Sequence, residues 1–247
     1  MEIHGRIAIV TGAGSGIGRA TAKALASEGA SVLLVDVDEA GGKETLQQIA
    51  DKGGTALFHV ADVSDAARID AMFAAAIGTF GGIDIVFNNV GIMAGSPDWP
   101  EMALPRTQQV MSINALGVIM GTTVAVREMR KRGGGVIINT ASMAVLMPSV
   151  HDPVYDASKA AVVMFTQSTA KLVAADNIRI NAVLPGMTLT AIQNKSGDGT
   201  KPADWLAPAL EQYGHVALQP EAIADVVCAM IRNDTLNGEC QAVHNEA

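Results

Sequence analysis

Tyr155 and Lys159 stand four residues apart, so on a helix both side chains share one face. That pairing suits proton transfer. A free tyrosine has a pKa of about 10, too high for a good base at neutral pH, and a nearby positive charge lowers it by about two pH units or more. A phenol tuned in this way takes the proton of a hydroxyl, or returns one to a carbonyl oxygen. Alone, the two residues describe no more than a buried tyrosine and a snorkelling lysine on an amphipathic helix. Ser142 adds a third group, 13 residues before Tyr155. It follows a strand-like run, at the carboxyl edge where open parallel sheets bind ligands, and its hydroxyl can donate to an oxygen on which charge develops. Thr140, Ser149 and Ser158 are close by, so the choice of Ser142 rests on that spacing.

A second chemistry is written near the N-terminus, where Thr11-Gly12-Ala13-Gly14-Ser15-Gly16-Ile17-Gly18 follows the first strand-like run. Glycines there permit a tight turn and let backbone approach a pyrophosphate, while the next helix offers its free N–H groups and positive dipole end. Gly12, Ser15, Gly16, Ile17 and Gly18 are the candidate cradle. Asp36 ends the second strand-like run, 18 positions after Gly18. A carboxylate at that point accepts hydrogen bonds from the adenosine ribose hydroxyls and repels a 2′-phosphate. Ala13, Ser15 and Val37 are not basic, and Arg19 is expected to face solvent, so the cofactor is expected to be NAD rather than NADP.

These groups need a scaffold that brings them to one edge. Strand-like runs fall at Ile7–Val10, Ser31–Val35, Thr55–Val60, Ile83–Phe87, Gly135–Asn139, Ile178–Val183 and, more weakly, Glu239–Val243. Helix-like segments lie near 17–28, 38–51, 65–80, 103–131, 154–174 and 220–232. Several strands are apolar on both faces, as parallel strands covered by helices must be. The alternation predicts an α/β fold: a single Rossmann-type domain over 1–247, doubly wound, with a parallel sheet of about seven strands and helices on both faces. Residues 188–215 break the rhythm with Gly, Pro, Asp and Lys around Trp205 and Leu206, and are expected to form a substrate lid.

Composition narrows the partners. With a net charge of −8 the chain has no basic patch for nucleic acid. Its longest basic run, Arg130-Lys131-Arg132 before Gly133, suits a helix C-terminus. No signal peptide or membrane-length apolar run is visible, and Cys228 and Cys240 imply neither metal nor disulfide, so a cytoplasmic protein without a metal is expected. Asp38, Glu39 and Asp65 read as first-turn helix charges. His151, just before Tyr155, reads as a loop histidine without a role.

Taken with Asp62-Val63, Asn88-Asn89-Val90-Gly91, Asn114, Ser142, Tyr155-Asp156-Ala157-Ser158-Lys159 and Pro185-Gly186, the glycine turn resembles the short-chain dehydrogenase/reductase family, in order and over most of the chain. The resemblance implies that Asp62 and Val63 contact adenine, and that Asn89, Val90 and Gly91 steady the strand ends beside the ribose. It implies that the Thr188 backbone meets the nicotinamide carboxamide near Pro185 and Gly186, and that Thr190 reaches the pyrophosphate. Asn114 would bend its helix and bind a water leading to Lys159, which also holds the nicotinamide ribose. Val90 departs from the family's usual alanine. The stretches Leu146-Met147-Pro148, Pro153-Val154-Tyr155 and Asp234-Thr235-Leu236-Asn237-Gly238 look like the NAD-dependent 15-hydroxyprostaglandin dehydrogenase group. That group has a glutamine where this chain has Asp152.

The expected reaction is hydride transfer between NAD and a small hydrophobic secondary alcohol or ketone, with Tyr155 as acid/base. Met93, Met143, Met147 and Met187 would line an adaptable apolar pocket. A ketone reductase running the other way, or a non-catalytic NAD-binding redox sensor, are the alternatives. Resemblance also implies pairing of the apolar helices into a homodimer or homotetramer.

Overall fold

The computed structural model describes residues 1–197 and 200–245. Seven strands form one parallel sheet: β1 (Ile7–Thr11), β2 (Ser31–Asp36), β3 (Thr55–Val60), β4 (Ile85–Asn88), β5 (Gly135–Thr140), β6 (Ile178–Pro185) and β7 (Cys240–Val243). Their spatial order is β3-β2-β1-β4-β5-β6-β7. The order reverses between β1 and β4, which opens a crevice at the carboxyl ends of those two strands.

Alternation along each strand explains the layers, because successive side chains point to opposite faces. Ala8, Val10, Val32, Leu34, Ile85 and Phe87 pack against helices α1 (Gly16–Ser27) and α9 (Pro220–Arg232). Ile9, Leu33, Val35, Val86, Ile137 and Ile180 face the other way, onto α3 (Ala66–Phe80), α5 (Gly117–Arg132) and α6 (Pro153–Val173). Helix α2 (Glu39–Ala50) connects β2 to β3. The fold is thus the doubly wound sheet that the sequence pattern predicts.

Local chemistry sets the helix ends. Asp38 caps α2 by accepting from Gly41 N, and Asp65 caps α3 by accepting from Ala67 N and Arg68 N. The Arg130-Lys131-Arg132 run occupies the last turn of α5, which Gly133 ends at φ +85°.

Two expectations change in detail. β4 begins at Ile85, and Asp84 just before it braces the strand's entry: its carboxylate accepts from Ile7 N at 2.9 Å while its own N–H donates to the Ile7 carbonyl at 2.9 Å. The helix predicted over 103–131 is three consecutive pieces, α4 (Leu104–Met111), a π-helical turn (Ser112–Leu116) and α5. This rod is long and apolar enough to cross a membrane by composition, yet half of its most apolar window is buried inside the fold, as for a core helix. The segment 188–215 carries two short helices, α7 (Ile192–Lys195) and α8 (Ala207–Tyr213). Positions 198–199 of the expected lid lie outside the described residues.

Candidate active site

A cavity of about 970 Å³ opens at the crevice between β1 and β4. Its floor at one end is the glycine turn. Gly12 and Gly16 take φ of +67° and +51°, a region that favours glycine. A Cβ on Gly18 would lie 2.1 Å from the Gly12 carbonyl oxygen, so helix and turn touch only because no side chain intervenes. Ser15 stands at the N-cap of α1 with no side-chain cap bond, leaving the first-turn N–H groups open to the cavity. Asp36 turns back on this loop: Oδ2 accepts from Gly14 N at 2.8 Å and Oδ1 from Asp38 N at 2.9 Å. Each oxygen keeps a lone pair. The cradle fits a pyrophosphate flanked by an adenosine ribose.

Arg19 does not face solvent as expected. Its guanidinium folds inward onto the Gly14 carbonyl and Thr45 Oγ1, and pairs with Glu44 at 2.8 Å. The carbonyls of the tight turn need a donor, and Arg19 supplies it.

Strand tips beside the glycine turn build the rest of the cavity. Asn89 donates from Nδ2 to the Thr11 carbonyl at 3.1 Å and receives Thr140 Oγ1 at 3.4 Å, tying β1, β4 and β5 together. Asn89, Val90, Gly91, Asp62 and Val63 all line the cavity, as do Pro185, Gly186, Thr188 and Thr190. Ser142, Tyr155 and Lys159 converge on the same wall. Lys159 is 2% exposed; its Nζ donates to the Thr140 carbonyl at 2.9 Å and lies 5.7 Å from the centre of the Tyr155 ring. A Cβ on Gly91 would lie 3.1 Å from that Nζ, so glycine leaves the ammonium its room. Ser142 caps a short 3₁₀ turn, accepting from Ala144 N at 3.1 Å.

The expected acidification of Tyr155 rests on Lys159 and on the positive nicotinamide of NAD together, and the chain's own electrostatics run the other way. Tyr155 is pushed up to about 12 by burial, against a hydrogen bond with Ser142, and the Asp152 and Asp156 carboxylates push the same way. Burial also pulls Lys159 down to about 8. The protein's own groups therefore raise the phenol rather than acidify it, because burial outweighs the hydrogen bond from Ser142.

Asn114 and Gly18 are the two candidates that do not line the cavity. Asn114 sits in the π turn, fully buried; Oδ1 accepts from Ile92 N at 2.8 Å, and Nδ2 donates to the Ile92 carbonyl at 2.9 Å and Ser158 Oγ at 3.0 Å. Both amide hydrogens are committed to protein. The side chain thus fixes the loop after β4 against α6.

Met93, Met143, Met147, Met187 and Trp205 line the same cavity. Sequence reasoning missed three supports of this region. Asp152 is the N-cap of α6, accepting from Tyr155 N at 3.0 Å and, with its other oxygen, from Ala94 N at 2.8 Å. Burial raises its pKa despite those bonds and the charge of Arg106. Asp followed by Pro at the head of a helix was the available signal. Arg106 donates to the carbonyls of Met93 and Ala94, holding the same loop. His151 is not idle: its ring stacks on Trp205 with centroids 5.6 Å apart, and Nδ1 lies 3.1 Å from Asp98 Oδ2. The C-terminal residues His244 and Asn245 also reach the cavity.

Comparison with known proteins agrees with this geometry. The family model described as short chain dehydrogenase matches residues 6–201. A 15-hydroxyprostaglandin dehydrogenase [NAD(+)] of Homo sapiens is 36% identical, the match covering 96% of this chain and 90% of that one. A 3beta-hydroxysteroid dehydrogenase 1 of Eggerthella lenta is 38% identical over 77% of this chain and 74% of its own. The crystal structure of an NAD+-bound xylitol dehydrogenase superposes with a TM-score of 0.88 at 27% identity, covering 100% of both chains. With its sheet order, glycine turn and Tyr155–Lys159 pair in place, the chain belongs to the short-chain dehydrogenase family, whose members act on CH–OH groups.

Proposed function

We propose that this chain interconverts a hydrophobic secondary alcohol and its ketone with NAD as hydride partner. The carrying observation is that Ser142, Tyr155 and Lys159 come together on the lining of one cavity that the glycine turn and Asp36 also line. When bound, NAD supplies the hydride acceptor and, in its oxidised form, a positive ring that favours the phenolate. The residues do the rest. Ser142 donates to the substrate oxygen, Tyr155 takes the hydroxyl proton, and the two remaining Nζ hydrogens of Lys159 hold the nicotinamide ribose and orient the phenol. The side-chain N–H groups of Asn114 are committed, so a proton-relay water at this residue would bind the backbone carbonyl or the spare lone pair of Oδ1.

Asp36 supports NAD over NADP, since its carboxylate would repel a 2′-phosphate, Arg19 is bound to the turn and the neighbouring Val37 is not basic. The methionine wall supports an apolar substrate. Leu104, Leu116, Met164 and Leu172 expose apolar surface on α4, the π turn and α6, which supports a homodimer or homotetramer through these helices. Trp205, with α7 and α8, supports a lid over the substrate.

The test is NAD reduction by purified protein against a panel of secondary alcohols. Turnover that falls about 100-fold or more in Tyr155→Phe, with dinucleotide binding kept, is the expected result. Full rates in that variant would overturn the proposal, and tight NAD binding without any turnover would favour a redox sensor.

A further inference from the structure

The C-terminal segment holds the cofactor-facing turn through one side chain. Past β6 the chain runs Gly186-Met187-Thr188, and Gly186 N donates to the Val243 carbonyl at 2.9 Å as the last rung of the β6–β7 ladder. One step further, β7 offers no backbone acceptor to Met187 N. The Asn245 side chain takes its place: Oδ1 accepts from Met187 N at 2.9 Å, and Nδ2 donates to the Met187 carbonyl at 2.7 Å and the Val216 carbonyl at 3.0 Å. Two acceptors and one donor facing this amide leave it a single orientation. A Cβ on Gly186 would lie 2.4 Å from Oδ1, so glycine is what admits the amide.

The clasp determines where Thr188 points. Thr188 forms a parallel bridge with Leu218, in which Leu218 N donates to the Met187 carbonyl at 2.8 Å and Leu189 N to the Leu218 carbonyl at 2.9 Å. In such a bridge the N–H and C=O of the bridged residue turn away from the partner strand. The Thr188 carbonyl receives Gln193 Nε2, and Thr188 lines the cavity. Asn245 therefore secures both the peptide before Thr188 and, at Val216, the segment returning from α8.

We propose that Asn245 is a positioning residue for the nicotinamide half of the cofactor: it fixes the Met187 peptide so that the Thr188 backbone meets the carboxamide. The proposal rests on the dinucleotide reading of the site. Its reach is local in hydrogen bonds: among the described residues neither the glycine turn nor Asp36 shares one with Asn245, although Thr190, joined to Thr188 through Gln193, packs against Gly16.

Two ligands separate the halves. NADH spans the whole site, whereas ADP-ribose lacks the nicotinamide. Calorimetry on the wild-type chain, Asn245→Ala and Asn245→Asp is expected to show NADH weakened about tenfold in both variants, through loss of the Nδ2 bonds. ADP-ribose is expected to bind within about twofold of wild type. Asn245→Asp keeps an acceptor for Met187 N but sets an oxygen against the Met187 and Val216 carbonyls, so retained ADP-ribose binding is what shows that either variant is still folded. Equal weakening of both ligands, or unchanged NADH binding, would overturn the proposal. A wild-type chain that bound neither ligand would instead remove the dinucleotide reading beneath it.

Discussion

Replacing Lys159 by methionine is expected to stabilise the cofactor-free protein while removing its proposed activity. Lys159 is buried, and the acceptor for its Nζ within the chain is the Thr140 carbonyl. Burial pulls its pKa from 10.5 to about 8. That depression corresponds to about 3 kcal/mol held against the folded state at neutral pH. Methionine keeps the length of the side chain but orphans the Thr140 carbonyl, which takes back about 1 kcal/mol. The net gain is about 2 kcal/mol, or about 4–8 °C in Tm for a chain of this size.

The pH dependence gives the sign. Below about pH 8 lysine is charged in both states, and the folded state bears the whole cost. Between about 8 and 10.5 the folded lysine is neutral while the unfolded one is still charged, so wild-type stability rises with pH relative to the variant. Tyr155 is present in both proteins and cancels. Urea unfolding of the two chains at about pH 7 and about pH 10 should show the variant's advantage shrinking at the higher pH. A variant less stable than wild type at pH 7, or a difference independent of pH, would refute the reasoning.

Other outcomes follow from the same geometry. Asp36→Ala with Val37→Arg removes the carboxylate and adds a cation, so the ratio of NADP to NAD affinity is expected to rise about tenfold or more, measured by titration with each dinucleotide. Asp152→Ala removes the cap of α6 and the partner of Ala94 N, and is expected to cost about 2–3 kcal/mol in urea unfolding. Asp152→Asn, which keeps one acceptor, should lose less. Gly18→Ala places a methyl against the Gly12 carbonyl and is expected to abolish dinucleotide binding, read by calorimetry, in whatever chain remains folded.

Much of this was legible in the sequence because it is local. Apolar runs of strand length, glycines at the β1–α1 turn and a tyrosine one helical turn from a lysine carry their meaning within a few residues. All seven strands fall on the apolar runs, β4 starting two residues late, and every residue expected at the site but Gly18 and Asn114 lines one cavity. What escaped is made by contacts distant in the chain. Asn245 meets Met187 across 58 residues, and His151 meets Asp98 across 53. No period or spacing encodes such pairs. The raised pKa of Tyr155 escaped for a related reason: the Tyr155–Lys159 spacing shows the ammonium, but only the packed fold shows how little water surrounds it.

At the centre of the sheet, Asn88 Nδ2 donates to Thr122 Oγ1 at 3.1 Å and to Asn139 Oδ1 at 2.9 Å, while Asn139 Nδ2 donates to Thr166 Oγ1 at 3.0 Å. Four uncharged side chains from β4, α5, β5 and α6 thus complete one another in the dark interior. Removing any one takes a buried hydrogen bond from at least one neighbour, whereas exchanging all four for apolar groups of matching shape could be close to neutral. The quartet is accordingly an evolutionary ratchet: descendants of this chain can drift freely around it, but can leave it only by changing several of its members at once.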